Sequence, residues 1–251
     1  MKASQQRGNI LFLILLAVVL FAALSYAVTS STRGGGKDIS AETAQSRAAR
    51  YLQFSTNMAN IVQRMALNGV KDVEFKFAGN YRSTNGNGFC GSNPNCAVGS
   101  ACDVFHPSGG GALPLKFEDI AFTPPGCCSA SPSLTMPGNV TFGQGGVAGI
   151  GTDAPDLVMM IGGVDPATCN EINRSMGITT SFTDASPAVE NVSTSRPQPL
   201  VNCPGTHYGF TSTNVIGDQD ARFFGQHTFC LSLNSSAPNG YLELFQVLLA
   251  R

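Results

Sequence analysis

Ile10 to Val28 reads ILFLILLAVVLFAALSYAV, nineteen residues without a charge. As a helix this stretch rises about 28 Å at about 1.5 Å per residue, close to the hydrocarbon thickness of a bilayer. Apolar residues occupy every face, so it lacks the single stripe that an ordinary core-facing helix buries. Lys2 and Arg7 precede it. By the positive-inside rule they keep the short leader in the cytoplasm and send the chain beyond Val28 across the membrane.

The rest of the composition narrows the function. Of 251 residues, 43% are hydrophobic and 12% charged, with 15 Lys and Arg against 16 Asp and Glu. A nucleic-acid binder needs a basic surface to neutralise phosphates, so nucleic acid is excluded as a partner. The low charge also argues against a disordered chain. With 28 Gly, 14 Pro and no Trp, the bulk of the chain reads as loop-rich and strand-rich.

Beyond Val28 comes TSSTRGGGK. Three consecutive glycines, Gly34 to Gly36, are each unfavourable by about 1 kcal/mol inside a helix, so residues 29–37 are expected to be a flexible break. Helical spacing resumes over 38–69. Ala44, Ala48, Leu52, Ser55, Ala59, Val62 and Ala66 recur every three or four residues, flanked by Tyr51, Met58 and Met65. Asp38 or Ser40 suits the start, and Gly69 the residue after the end. Residues 70–251 form a β-rich globular domain. Asp72–Phe77 alternates polar and apolar like a half-buried strand, and Leu157–Ile161 reads as a short buried strand. His227–Leu233 and Tyr241–Leu249 form a hairpin turned at Pro238-Asn239-Gly240. A short helix is capped by Asp165, opened by Pro166 and closed by Gly177, with Cys169, Ile172 and Met176 on one face, the cysteine tethering it.

Three fates of the apolar segment are open: a secretory signal cleaved after Ser25-Tyr26-Ala27, a plain signal anchor, or a prepilin-type leader. In the third, the leader MKASQQRG ends at Gly8 and the apolar stretch is kept. With Gln5-Gln6-Arg7 before that glycine, the N-terminus resembles those of type IV pilins and of the pseudopilins of type II secretion. The resemblance implies cleavage between Gly8 and Asn9 by prepilin peptidase, leaving 13 basic and 16 acidic residues. The chain departs from the family pattern in having Asn9 where Phe or Met is usual, and Leu13 where a glutamate is usual. That glutamate is thought to pair with a neighbouring subunit's amino group, so Leu13 points to a minor, initiating or tip-type subunit.

The fold so implied is α+β. A long N-terminal helical spine, with a membrane half at 9–28 and an amphipathic half at 38–69, packs against a strand-rich, disulfide-stapled globular domain whose sheet is antiparallel. The function implied is a structural subunit of a type IV pilus or type II secretion-like filament. It would be held in the bacterial inner membrane by a single pass before assembly, with the C-terminal domain periplasmic, and would end in an extracellular filament. Its partners would be the inner membrane and other pilin-like subunits, met through the N-terminal helix. The alternative is a secreted or single-pass-anchored extracytoplasmic binding protein that uses the apolar segment only for export.

Cys90, Cys96, Cys102, Cys127, Cys128, Cys169, Cys203 and Cys230 all lie beyond the apolar segment. In an oxidising compartment they read as disulfides, with a connectivity that spacing does not reveal. The adjacent Cys127 and Cys128 are expected to bond different partners. No Cys-x-x-Cys pair and no Cys/His spacing fits zinc. His106, His207 and His227 accompany no Gly-x-Ser-x-Gly elbow and no recognisable triad, so no enzyme and no cofactor is expected. Gly143–Gly149 imitates a dinucleotide loop, but Pro155 falls where its helix should run. Asp218 and Asp220 are weak calcium candidates: two carboxylates without a third ligand are more simply a solvated turn.

Overall fold

One helix, α1 (Arg7–Leu67), takes up the first quarter of the chain. It crosses the boundary between two compact units, Met1–Thr43 and Ala44–Arg251. The computed structural model describes residues 7–77, 95–96, 101–115, 117–122, 138–182, 189–190, 198–199, 215–218, 220–233 and 242–251. At 7–11, 24, 26–39, 189–190, 198–199 and 232–233 it describes the backbone alone.

The expected spine needs correcting in two respects. First, no membrane half is found: among the described residues no helix is long and apolar enough to cross a membrane. Second, the expected break at 29–37 is absent, because α1 runs through Gly34–Gly36 without interruption. Glycine weakens a helix but keeps both backbone hydrogen-bonding groups. Only proline removes the donor, and α1 contains none. Met1–Thr43 is a unit of its own, and α1 enters the second unit at Ala44.

Within the second unit α1 is amphipathic. Ala44, Ala48, Tyr51, Phe54, Met58, Val62 and Met65 are buried, while Leu52 and Ala66 are partly so. The buried stripe centres on the aromatic and methionine positions that the sequence pattern placed at its flank. Arg47 joins this helix to Asp165 at 3.3 Å, and Arg50 meets Asp119 at 2.6 and 3.2 Å.

The sheet is built from β1 (Val140–Val147), β2 (Asp156–Val164), β3 (Val189–Glu190), β4 (Gln198–Pro199), β5 (Val215–Ile216), β6 (Thr228–Leu233) and β7 (Leu242–Leu249). Their order is β3-β6-β7-β2-β1-β4, with β5 also pairing β1. The central ladders β6–β7, β7–β2 and β2–β1 are antiparallel. The expected wholly antiparallel sheet is corrected at its margins, where β3–β6 and β1–β5 are parallel pairs of two residues each. Among the described strands, proline occurs only in the outer strand β4, where a missing N–H does not interrupt a ladder.

β2 is buried along its whole length and extends the expected Leu157–Ile161 strand at both ends. The hairpin arms pair as expected, Thr228 opposite Gln246 and Cys230 opposite Leu244, and the turn at 238–240 lies outside the described residues. Gly143–Gly149 is not a loop: Gly143 to Val147 belong to β1. Asp72–Phe77 is corrected as well. Asp72–Glu74 is a 3-10 turn, and Lys76 makes only an isolated parallel bridge to Asp103. The alternation nevertheless buries Phe75 and Phe77, the latter stacked on Phe142 with ring centroids 4.0 Å apart.

α2 (Pro166–Ser175) has the caps its sequence announces. The Asp165 carboxylate accepts the Thr168 N–H at 2.9 Å, Pro166 opens the first turn, and Gly177 closes the helix with φ +78°. Cys169 ties the helix to β6 through a disulfide with Cys230.

Candidate functional site

In the Met1–Thr43 unit the notable feature is the surface of α1. Phe12, Leu13, Ile14, Leu15, Leu16, Val18, Val19, Leu20 and Phe21 are all exposed, Phe12 to 65% and Phe21 to 77%. Residues at nearly consecutive positions point to all sides of a helix, so no single face is sheltered. A contiguous apolar surface of this kind marks an interaction site rather than ordinary surface. Gly8 and Asn9 lie at the start of α1, one turn before Phe12, and Leu13 is exposed.

In the Ala44–Arg251 unit two described disulfides hold the body, Cys169–Cys230 and Cys96–Cys102. Cys90, Cys127, Cys128 and Cys203 lie outside the described residues, as does His207. Among the described residues no group of three His, Cys, Asp or Glu could hold a metal. Asp220 is gripped by its near neighbour Arg222, whose Nε lies 2.9 and 3.0 Å from the two carboxylate oxygens. That pairing holds the Asp220 carboxyl below the usual carboxylate range and occupies the oxygens a cation would need. Asp218 is exposed, and among the described residues no third ligand joins the two aspartates.

His106 and Ser108 approach to 2.6 Å, but both are exposed, and the same Nδ1 faces the Ser108 backbone N–H at 3.2 Å. This is a local turn contact, not a nucleophile set beside an oriented base. His227 precedes β6, and its carbonyl oxygen accepts the Val247 N–H at 2.8 Å.

Sequence reasoning passed over two arrangements. One is Asp156, fully buried at the head of β2, whose two oxygens accept the N–H groups of Val147 at 3.1 Å and Arg251 at 2.9 Å. Burial pushes its carboxyl above the usual range despite both hydrogen bonds. The other is a groove of about 910 Å³ between α1 and residues 110–115. The exposed polar residues Gln53, Asn57 and Asn60 of α1 line one wall, and Leu113 and Leu115 the other. The hint in the sequence was Gly110-Gly111 with two leucines around a proline just beyond it, in an otherwise polar loop.

No protein-family model, curated protein or solved structure matches the chain.

Proposed function

We propose that this protein is a pilin-like structural subunit of minor or tip type, working in a filament of the type IV pilus or type II secretion kind. The observation that carries the reading is the apolar surface from Phe12 to Phe21, exposed on all sides, with Gly8-Asn9 one helical turn before it. A helix bare on every face can be surrounded by the same segment of other subunits, and helix-on-helix packing of that sort buries the whole circumference. Prepilin peptidase is the processing enzyme this requires, cutting between Gly8 and Asn9. Leu13 leaves the segment without a carboxylate to receive a neighbour's amino terminus, which favours a place at an end of the assembly over one along its shaft. The disulfides Cys169–Cys230 and Cys96–Cys102 suit a body placed on the extracytoplasmic side of the envelope. The filament role depends on the exposed helix and not on a membrane-crossing one.

The test is photo-crosslinking in cells that carry a filament-assembly system. A photoreactive residue at Leu20 should give adducts with other pilin-like subunits, and Leu20→Asp should abolish incorporation while the disulfides of the body still form. Recovery of the unaltered protein solely as a free extracytoplasmic monomer would overturn the proposal and favour a secreted binding protein.

A further inference from the structure

The segment from Gly110 to Asp119 is strapped along α1 and fastened at both ends. At one end the Arg64 guanidinium donates to the Gly110 carbonyl at 2.8 Å, the Ala112 N–H donates to Val104 at 2.9 Å, and Ala112 is buried. Gly110 is there because nothing larger fits. A Cβ would run into the Val104 carbonyl oxygen and stand 2.8 Å from Ile61 Cγ2. At the other end Phe117 is fully buried, stacked on Tyr51 at 4.6 Å and edge-on to Phe54 at 5.4 Å, with the Asp119–Arg50 ion pair beyond it. Between these anchors Leu113, Pro114 and Leu115 stand exposed, Leu113 to 78% and Leu115 to 40%. The groove lies under this stretch.

Its two walls differ in chemistry. Gln53, Asn57 and Asn60 lie at three- and four-residue spacing, so their carboxamides form a row along α1. Each carboxamide both donates and accepts, as a peptide group does. Leucine side chains face them across the groove. Arg64 stands in the same row, with one N–H given to Gly110, and no carboxylate is among the described lining residues. Lipid does not suit the carboxamide row. Sugar rings usually want an exposed aromatic platform, and the one aromatic described in the lining, Phe54, is buried. From Leu52 to Arg64 the helix wall is about 18 Å long, which matches roughly five residues of extended chain at about 3.4 Å each.

We infer that this groove binds an extended peptide from a partner protein. Its main-chain groups meet Gln53, Asn57 and Asn60, an apolar side chain rests on Leu113 and Leu115, and a carboxylate lies at Arg64. The inference concerns the Ala44–Arg251 unit and does not rest on the filament reading.

The full chain, kept in mild detergent, should bind members of a fluorescein-labelled hexapeptide library in fluorescence polarisation. The selected peptides should carry Asp, Glu or a free carboxyl terminus at one end and an apolar residue in the middle. Arg64→Gln should erase the preference for the acidic end and weaken binding about tenfold. Asn57→Ala and Leu113→Asp should each weaken it for every peptide, and Asp218→Asn, away from the groove, should leave it unchanged. Far-ultraviolet circular dichroism identical to the parent would confirm that each variant is folded. Absence of binding at millimolar peptide overturns the inference. So does binding that Asn57→Ala and Leu113→Asp leave untouched, or a preference for oligosaccharides or lipid vesicles over every peptide.

Discussion

Asn173 stands in for a missing strand. Its Oδ1 accepts the Cys230 N–H at 2.8 Å and its Nδ2 donates to the Cys230 carbonyl at 2.7 Å, so one side-chain amide pairs with β6 as a neighbouring strand would. All of these atoms are buried, and a buried backbone group left unpaired is unfavourable by about 1–3 kcal/mol. Asn173→Ala should therefore lower stability by about 2–4 kcal/mol in urea unfolding, since it orphans one donor and one acceptor. A loss below about 0.5 kcal/mol would show that the clamp contributes little beyond its neighbours.

Asp156 sets a pH dependence whose sign comes from its burial. Its carboxyl is raised above the ordinary value, first by burial, and the hydrogen bonds from Arg251 and Val147 only partly offset this. The folded protein then holds the proton at a pH where the unfolded chain has released it. Stability from this group is complete below the ordinary aspartate pKa, about 3.9. It is lost as pH rises through the raised folded value. Asp156→Asn removes that slope and also points an amide at one of the two N–H groups. The variant should be less stable at every pH, with the deficit largest at acid pH and narrowing as pH rises. Thermal unfolding measured from about pH 3.5 to 7 reads the difference, and a deficit that widens with pH would refute the sign.

Between elements, the two described disulfides should differ in weight. Cys169–Cys230 closes a separation of 61 residues and fastens α2 to β6, whereas Cys96–Cys102 closes only 6. The chain-entropy model gives about 4 kcal/mol for the first and about 2 kcal/mol for the second. Replacing Cys169 and Cys230 by alanine should lower the melting temperature clearly more than replacing Cys96 and Cys102, and the reverse order would contradict this ranking.

The elements readable in the sequence were those whose local chemistry agrees with their surroundings. α2 carried its cap, its proline and its closing glycine. β2, β6 and β7 carried unbroken or alternating apolar residues. β1 was not legible because Gly143, Gly145 and Gly146 disfavour strands locally, yet pairing with β2 along Val140–Gly145 overrides that preference. The glycines of 34–36 misled in the opposite direction, since unfavourable helix propensity is a bias and not a veto. Asp72–Phe77 showed the right faces without the ladder, because burial of Phe75 and Phe77 needs alternation but no partner strand. Asn173, Asp156 and the groove were invisible, each depending on residues brought together from distant parts of the chain: Asn173 and Cys230, Asp156 and Arg251, Gln53 and Leu113.

On the scale of the whole molecule, the Ala44–Arg251 unit has a buried cluster that runs from Ala48 through the sheet to Leu248. On the proposed reading, the exposed apolar segment Phe12–Phe21 is the surface on which other subunits pack. The most direct measurement is the mass of the amino-terminal peptide of the protein recovered from cells with and without prepilin peptidase. A start at Asn9 that requires the peptidase, with Phe12–Phe21 still present, is the predicted result. A start at Val28, or one that is the same in both strains, would contradict it.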